Sequence, residues 1–429
     1  MNTSNFFNKD FFEQNRQNLL EQLPPQSVAF VTSADQLPRN GDQTFYFRQS
    51  SNLFYLTGIN QEQTLLVLSN CHPDCSKHQI LFIRYACSKE QIWEGKKLSV
   101  FEAIETSGIK NVLYTSDFET MMSEIVYYAE NIFIASNENL KYRRFYNDAD
   151  YRLYKKLRFN FPFHSYKRLS PFIVKQRLIK QQPEIDAIKK AIEITNKAFN
   201  RVLKFVKPNV KENEVEAEIM HEFLINGVKN YSFEPIVASG IDTCVLHYTQ
   251  NNKKCESGDL LLIDFGAEFS NYAADITRTI PVDGKFDKFQ LKVYSAVLEI
   301  QNYAKNQLKS GSTINIWNKQ VKKFVEQKLL ELQLITKQEI DNQKTQFQAV
   351  QEYFMHGVGH FLGIDVHDVG TNDTYFEPGM VLTVEPGIYI AEKGFGIRLE
   401  NDVLITNSGI IDLSEQIPIE AKDIESKIY

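Results

Sequence analysis

The chain has 429 residues, of which 48 are Lys or Arg and 54 are Asp or Glu, so its net charge at pH 7 is −6. This length favours two domains over one hydrophobic core, and the acidic balance argues against a nucleic-acid partner, which would need a basic surface. No apolar run matches the length of about 18 residues that a membrane span needs, or forms a signal-peptide core, and the cysteines are few, so we expect a cytoplasmic location without membrane contact.

The first 168 residues alternate strand-like and helix-like segments, which is typical of a small α/β domain. A helix is predicted over residues 13–23, where apolar residues recur among polar ones. Runs of β-branched and apolar residues predict buried strands at 27–33, 64–69 and 79–87. We therefore expect one domain over residues 1–168 and a second over 169–429.

The second domain is predicted to contain two helix pairs, each followed by a β-rich block. Pro183 occupies a plausible first helical position, and Gly227 is a fitting C-terminal cap. The predicted helices run from Pro183 to Pro208, over 212–226, over 286–308 and over 314–333. The β-rich blocks are predicted over 234–283 and 351–421. This order predicts a duplicated α+β unit.

Two aspartates interrupt apolar strands in the stretch DLLLIDFGAEFSNYAADITRT. If the turn between the strands centres on Phe269 and Ser270, Asp264 lies directly opposite Asp275, with Cβ atoms about 5 Å apart on one face. Two unpaired buried anions are costly, so either one carboxyl binds a proton or a cation lies between them. A solvated pair beside a turn is the alternative, and the apolar neighbours of Asp264 argue against it.

Two glutamates and three histidines extend this pattern. Glu385 and Glu400 interrupt the strand-like runs GMVLTVEPGIYI and FGIRLENDVLIT, although glutamate is rarely buried without a partner. The stretch FMHGVGHFLGIDVHDVG contains His356, His360 and His367. A zinc site of three histidines would leave all four acids unexplained.

Four carboxylates and one imidazole instead suit two divalent cations, such as Mn²⁺, Co²⁺ or Zn²⁺. We therefore predict that His360 binds metal, whereas His356 and His367 contact the substrate or a reaction intermediate. His247, in the stretch GIDTCVLHYTQ, is a candidate fourth histidine of the same pocket.

These motifs, in this order, resemble the metal-dependent Xaa-Pro peptidases of the pita-bread fold, and aminopeptidase P in particular. The resemblance covers residues 170–429, and it extends to the N-terminal part through YFRQSSNLFYLTGINQEQTLLVL and IWEG. It implies an α+β protein in which a non-catalytic α/β domain (ribonuclease H-like) precedes a catalytic pita-bread domain. It also implies a homo-oligomer, either a dimer or a tetramer.

The resemblance also implies roles for individual residues. The implied ligands of two metal ions, with Mn²⁺ expected first, are Asp264, Asp275, His360, Glu385 and Glu400. Asp275 and Glu400 would bridge the ions. The implied residues of the substrate cleft are His247, His356, His367, Tyr389 and Arg398, the last two near the proline-side pocket.

The expected reaction is hydrolysis of the bond between an N-terminal residue and a following proline by a hydroxide held between the ions. Glu385 would move a proton to the proline nitrogen, and His367 would stabilise the oxyanion, with His247 as a further catalytic group. Three alternatives stay open: a prolidase restricted to Xaa-Pro dipeptides, a metal-free binding protein on the same fold, and a metal-free hydrolase on that fold.

Overall fold

The computed structural model describes residues 6–136, 138, 139, 141 and 147–428. The chain divides into two compact units, with the boundary between Gln176 and Arg177. Among the described residues, no helix combines the length and the apolar character that crossing a membrane requires.

The N-terminal unit is built around a six-stranded mixed sheet. The strands of the unit, six of them in this sheet, are β1 (Ser27–Thr32), β2 (Pro38–Asn40), β3 (Gln43–Thr44), β4 (Leu65–Ser69), β5 (Gln79–Ile83), β6 (Asn111–Tyr114), β7 (Asn131–Ile134) and β8 (Ser165–Arg168). Its helices are α1 (Lys9–Gln22), α2 (Ser51–Thr57), α3 (Ser88–Glu94), α4 (Val100–Ser107), α5 (Phe118–Tyr127) and α6 (Ala149–Asn160), and α7 (Ser170–Leu178) contains the boundary. The sheet order is β6-β5-β4-β1-β7-β8, and β2 pairs only with β3.

The three strands predicted in this unit are confirmed, and each is buried because its apolar residues line the core. Strand β4 runs antiparallel to β1, whereas β7 runs parallel to it. The prediction for β5 extended too far along the chain. The strand ends before Arg84, whose guanidinium lies 2.7 Å from both Glu62 and Glu94 carboxylate oxygens.

The second unit contains the four predicted helices, each within a few residues of its predicted ends. They are α8 (Gln182–Phe205), α9 (Glu212–Ile225), α10 (Lys288–Gln307) and α11 (Ile314–Glu331), and the shorter helices are α12 (Lys337–Asp341), α13 (Gln348–Gln351) and α14 (Ala421–Lys427). The predicted apolar face of α8 is buried through Ile185, Ile188 and Ile192. Each such side chain contributes about 1.5–3 kcal/mol when it leaves water.

The strands of this unit form two three-stranded and two two-stranded antiparallel sheets, which position the acids. The strands are β9 (Ile236–Ser239), β10 (Leu260–Phe265), β11 (Glu268–Phe269), β12 (Tyr272–Ala273), β13 (Ile276–Pro281), β14 (Val381–Val384), β15 (Gly387–Ile390), β16 (Phe395–Arg398), β17 (Asn401–Thr406) and β18 (Gly409–Asp412). One sheet has the order β13-β10-β9 and the other β14-β17-β18, while β11 pairs with β12 and β15 with β16. Each three-stranded sheet follows one helix pair, as the predicted duplication requires.

The second β-rich block begins later than predicted. Residues 352–380 form no strand, and strands start only at Val381. The histidine segment therefore crosses the unit as an irregular loop, fixed to β14 by the bridge between Phe361 and Leu382. Glycines at 357, 359, 363 and 370 explain this, because glycine weakens regular strands and permits close approach of backbones. A Cβ on Gly359, for example, would lie 2.0 Å from the Thr383 carbonyl oxygen.

Candidate active site

The four predicted acids lie at the ends of two strand pairs. Asp264 is in β10 and Asp275 immediately precedes β13, while Glu385 immediately follows β14 and Glu400 immediately precedes β17. In the second pair, Val384 faces Asn401, so one step further along the ladder Glu385 faces Glu400. A backbone hydrogen bond of 3.0 Å from the Glu400 N–H to the Thr277 carbonyl joins the two pairs. The acids therefore converge from both halves of the duplicated unit.

The predicted register of the first pair was wrong by two residues. Asp264 faces Thr277 and not Asp275, because the turn lies at Ser270 and Asn271, which both have positive φ of 48° and 66°. Two residues with positive φ are what a tight hairpin turn needs to match the twist of its strands. Since side chains alternate with a period of two, this shift keeps Asp264 and Asp275 on the same face, as diagonal neighbours.

His360 lies close to three of the acids, in an arrangement that could hold a metal ion. Its Nε2 lies 3.3 Å from Asp275 Oδ2 and 3.8 Å from Glu385 Oε1. Its Nδ1 lies 3.0 Å from the Phe361 carbonyl oxygen, so the N–H belongs on Nδ1 and the Nε2 lone pair faces the acids. One ligand atom from each of Asp275, His360 and Glu400 lies within 4.8 Å of the others.

The electrostatics of this cluster favour a bound cation. Burial, followed by repulsion from Asp264, raises the pKa of Asp275 well above its ordinary value. Burial and repulsion from Asp275 do the same to the pKa of Glu400, and burial raises the pKa of Glu385. Asp264 Oδ1 is buried without a hydrogen-bond partner in the described structure. Oxygen-rich ligands and one imidazole nitrogen fit divalent ions such as Mn²⁺, Co²⁺ or Zn²⁺, so these residues fit the predicted metal site.

Arg398 lies against the acids and is almost completely buried, with a side chain only 4% exposed. It donates from Nη2 to Asp264 Oδ2 at 2.6 Å, from Nε to Thr277 Oγ1 at 3.1 Å and from Nη1 to the Tyr389 hydroxyl at 3.0 Å. The Thr277 hydroxyl in turn donates to Glu400 Oε2 at 2.6 Å. Arg398 thus contacts one predicted ligand directly and a second through Thr277.

The remaining predicted histidines lie around the same cavity of about 340 Å³, which His247, His356 and His367 line together with the acids. His356 Nδ1 lies 2.7 Å from the Gly357 carbonyl oxygen, and Nε2 accepts from the Tyr389 hydroxyl at 2.8 Å. Burial and the nearby Arg398 charge lower the pKa of His356 to about 3. Tyr389 is buried behind His356 and Arg398, and burial raises its pKa to about 12.

His367 packs edge-to-face against His360, with ring centroids 4.3 Å apart. Burial, followed by repulsion from His360, lowers the pKa of His367 to about 4. Both His356 and His367 are therefore neutral at pH 7, and each neutral ring has one N–H to donate.

The sequence analysis missed several residues of this site. Asp402 is fully buried and accepts from the Asp275 backbone N–H at 3.1 Å. Its position two residues after Glu400 in LEND, on the same strand face, is a signal from which it could have been predicted. Further cavity-lining residues to which the sequence analysis assigned no role are Phe233, Glu234, Ile236, Leu246, Thr249 and Val366.

Comparisons with known proteins agree with this geometry. Residues 186–407 match metallopeptidase family M24, and residues 12–133 match the N-terminal domain of aminopeptidase P. The chain is 35% identical to the Xaa-Pro aminopeptidase of Escherichia coli strain K12, covering 97% of this chain and 96% of that one. It is 34% identical to the Haemophilus influenzae Xaa-Pro aminopeptidase, covering 97% of each.

Solved structures of aminopeptidase P have the same fold as this chain. Zinc-substituted E. coli aminopeptidase P in complex with product superposes with a TM-score of 0.87 at 34% identity, covering 98% of each chain. The same enzyme with the inhibitor Pro-Leu gives a TM-score of 0.88 at 32% identity, covering 98% of each chain. The fold is therefore the predicted one, an N-terminal α/β domain (ribonuclease H-like) followed by a pita-bread domain.

The fold and the cluster of acids define a metallopeptidase of the pita-bread class. The chain belongs to metallopeptidase family M24, within which its N-terminal domain is that of aminopeptidase P. It is a metal-dependent aminopeptidase.

Proposed function

We propose that this aminopeptidase hydrolyses the bond between an N-terminal residue and a following proline, using two divalent ions. The observation that carries the proposal is the convergence of four carboxylates, His360 and three further histidines in one cavity. Support comes from near full-length similarity to Xaa-Pro aminopeptidases. A binding protein without metals is disfavoured, because all five predicted ligands are present.

The proposed metal ligands are Asp264, Asp275, His360, Glu385 and Glu400. When bound, the ions supply Lewis acidity and a nucleophilic water at neutral pH. We propose Mn²⁺ as the physiological ion, with Co²⁺ and Zn²⁺ as alternatives, since the carboxylate-rich ligand set suits such cations. The zinc-substituted E. coli relative is consistent with a site that accepts more than one metal.

The chain's own groups then have distinct tasks. His367, neutral at pH 7, donates its N–H to the oxyanion that forms when the carbonyl is attacked. Glu385 moves a proton to the departing proline nitrogen; its side chain is 20% exposed and its pKa is raised by burial, as a proton carrier requires. His247 also lines the cavity, and we propose that it contacts the substrate there as a further catalytic group.

Proline recognition is proposed at the wall formed by His356 and Arg398, with Tyr389 behind them. The hydrogen bonds among these three side chains hold the wall in one arrangement. The Xaa-Pro bond is a tertiary amide without N–H, so a site shaped for the ring leaves no donor unpaired.

We also propose that residues 1–168 are non-catalytic, that 169–429 carry catalysis, and that the protein is a cytoplasmic homo-oligomer, a dimer or a tetramer. The cavity residues all come from positions 233–400, which supports the division of labour. All five cysteines carry free thiols, which supports a reducing compartment.

Peptide hydrolysis followed by mass spectrometry tests the proposed function. Mn²⁺-loaded protein should release Xaa from Xaa-Pro-Yaa and from Xaa-Pro-Yaa-Zaa, and should cleave matched alanine peptides about 10–200-fold more slowly. Asp275→Ala is the inactive control. Cleavage confined to the dipeptide Xaa-Pro would instead make the protein a prolidase, and equal rates on the alanine series would contradict proline specificity.

A further inference from the structure

The loop that carries His367 is anchored by charged residues from a distant part of the sequence. Arg177, at the end of α7, places Nη2 at 2.5 Å from Asp368 Oδ1 and 2.7 Å from Asp365 Oδ2. Lys180, in the link between α7 and α8, donates from Nζ to Asp368 Oδ2 at 2.8 Å. We call Arg177, Lys180, Asp365 and Asp368 the ion cluster.

Three of these side chains are removed from water. The exposed fractions are 4% for Arg177, 1% for Lys180 and 1% for Asp368, whereas Asp365 is 39% exposed. Burying charges costs free energy that their attraction seldom exceeds, so a buried ion group is weak support for stability. The effect of the ion cluster on the fold is geometric. The Arg177 and Lys180 side chains bind the two carboxylate oxygens of Asp368, the residue next to His367, from different directions.

The backbone of the loop is fixed in the same place. Asp368 N–H donates to the Phe361 carbonyl at 2.9 Å, and Gly363 N–H donates to the Asp365 carbonyl at 3.1 Å. The Gly363 carbonyl accepts from Ala273 N–H at 2.9 Å, two residues before Asp275. A Cβ on Gly363 would lie 2.2 Å from Asp368 Oδ2, so the loop and the ion cluster fit only with glycine there.

His367 lies in the chain between Asp365 and Asp368, both bound by Arg177, and its ring packs against the His360 ring. None of the cluster's residues lines the cavity. We therefore expect their effect on the reaction to pass through the loop that carries His367.

We infer that Arg177 and Lys180 are positioning residues which, through Asp368, hold His367 at the place where it contacts the reacting group. The inference rests on the proposed function, because it gives the histidine its task. A displacement of about 1 Å in such a group can lower the rate about 100-fold, so a loosened cluster should lower kcat more than it changes KM.

A double-mutant cycle tests this. Asp368→Asn and Arg177→Lys should each lower kcat on Xaa-Pro-Yaa about 10–100-fold, with KM within about 3-fold and metal content unchanged. In a His367→Ala background the same substitutions should change kcat by less than about 3-fold, because the group they position is gone. Equal losses in both backgrounds, or loss of metal, would overturn the inference.

Hydrogen exchange gives a readout that does not depend on activity. Peptides covering residues 361–370 should exchange faster in Asp368→Asn than in the wild type, while other parts of the catalytic unit stay unchanged. Leu329→Ala in α11, a buried residue outside the site, is the control that lowers stability without freeing this loop. Unchanged exchange in the loop would overturn the inference even if the wild type proved inactive on Xaa-Pro peptides, an outcome that would contradict only the proposed function.

Discussion

For Arg398, the contacts in the structure differ from the role that the family resemblance implied. The sequence predicted it near the proline-side pocket, and it does line the cavity. Its hydrogen bonds, however, go to Asp264, Thr277 and Tyr389, all within the protein. A guanidinium donates from three nitrogens set in one rigid plane and can reach three widely separated partners, whereas the three donors of an ammonium group all start from a single nitrogen.

Replacing Arg398 with Lys should therefore weaken metal binding about 10–100-fold, because Asp264 would lose its fixed orientation. Calorimetric titration of the metal-free variant with Mn²⁺ measures this. The control is Arg201→Lys, which alters a partly exposed pair with Glu218 outside the cavity and should bind metal like the wild type. Normal metal affinity with a raised KM for Xaa-Pro peptides would instead favour the substrate-binding role that the sequence predicted.

For single residues, the informative sequence signal was an acidic residue within an apolar, strand-like run. Acids such as Asp264 and Glu400 could be predicted as a group because ionisable residues do not occur in core strands without a partner. Thr277 and Arg177 could not, because neither breaks its local pattern. Their importance lies in contacts with Glu400 and Asp368, more than a hundred positions away in the chain.

At the scale of secondary-structure elements, Glu212, the first residue of helix α9, joins this helix to its neighbours. The buried Glu212 carboxylate accepts from the Ser239 N–H and hydroxyl through Oε1, at 2.8 and 2.7 Å. Through Oε2 it accepts from the Tyr248 hydroxyl at 2.8 Å and the Lys253 N–H at 2.9 Å. One side chain thus connects the helix, the end of β9 and the loop that carries His247.

Glu212→Gln should destabilise the catalytic unit by about 1–3 kcal/mol. Each carboxylate oxygen of Glu212 accepts from a backbone N–H. Whichever way the glutamine amide is turned, its NH₂ group therefore faces a backbone N–H, and two donors repel each other. Glu216→Gln on the same helix is the matched control, because the partners of Glu216 are side chains: the Asn251 amide donates to Oε2 at 2.9 Å and the Tyr231 hydroxyl to Oε1 at 3.5 Å. The glutamine oxygen can still accept from Asn251, and the Tyr231 hydroxyl can turn to accept from the new NH₂. Urea unfolding measures both variants. If the two variants have equal free energies of unfolding, the hydrogen bonds accepted by both oxygens of Glu212 do not matter for stability.

Local rules predicted the regular elements well and the connections poorly. Helices α8 to α11 followed from apolar periodicity and from their caps, since both act within a few residues. The hairpin turn was placed one position too early along the chain, because Ser270 and Asn271 do not have the glycine that usually marks such a turn. The histidine loop was assigned to a β block because its shape depends on close approaches to β14 and Asp368 that the sequence does not display.

At the scale of the whole molecule, the chain has two tryptophans that distinguish its two units. Trp93 in the N-terminal unit is 82% exposed, whereas Trp317 in the catalytic unit is completely buried. Because a chain of two units need not unfold in a single step, a global signal would mix two transitions. A Trp93→Phe variant leaves Trp317 as the fluorescent reporter of the catalytic unit.

That reporter allows a prediction about metal removal and pH. The raised pKa values of Asp275, Glu385, Glu400 and Asp402 mean that these four groups bind more protons in the metal-free folded state than in the unfolded chain above about pH 4. The contribution of these groups to stability therefore falls as pH rises from the ordinary carboxyl range towards neutrality. Bound cations favour the ionised acids, so the stabilisation that Mn²⁺ gives should increase over the same range.

Asp402→Asn isolates this effect, because it removes one buried acid that is not a proposed metal ligand. Asparagine Oδ1 can still accept from the Asp275 N–H, so the local contact is kept. In the metal-free Trp93→Phe background, urea unfolding from pH 5 to pH 8 should show the variant gaining stability over its parent as pH rises. Exposed acids with lowered pKa values, such as Glu102, act in the opposite direction but contribute equally to both proteins and cancel in the difference. A stability difference that stays constant with pH would contradict a raised pKa at Asp402. It would also contradict the account of this cluster as a group of acids that need bound cations in order to ionise.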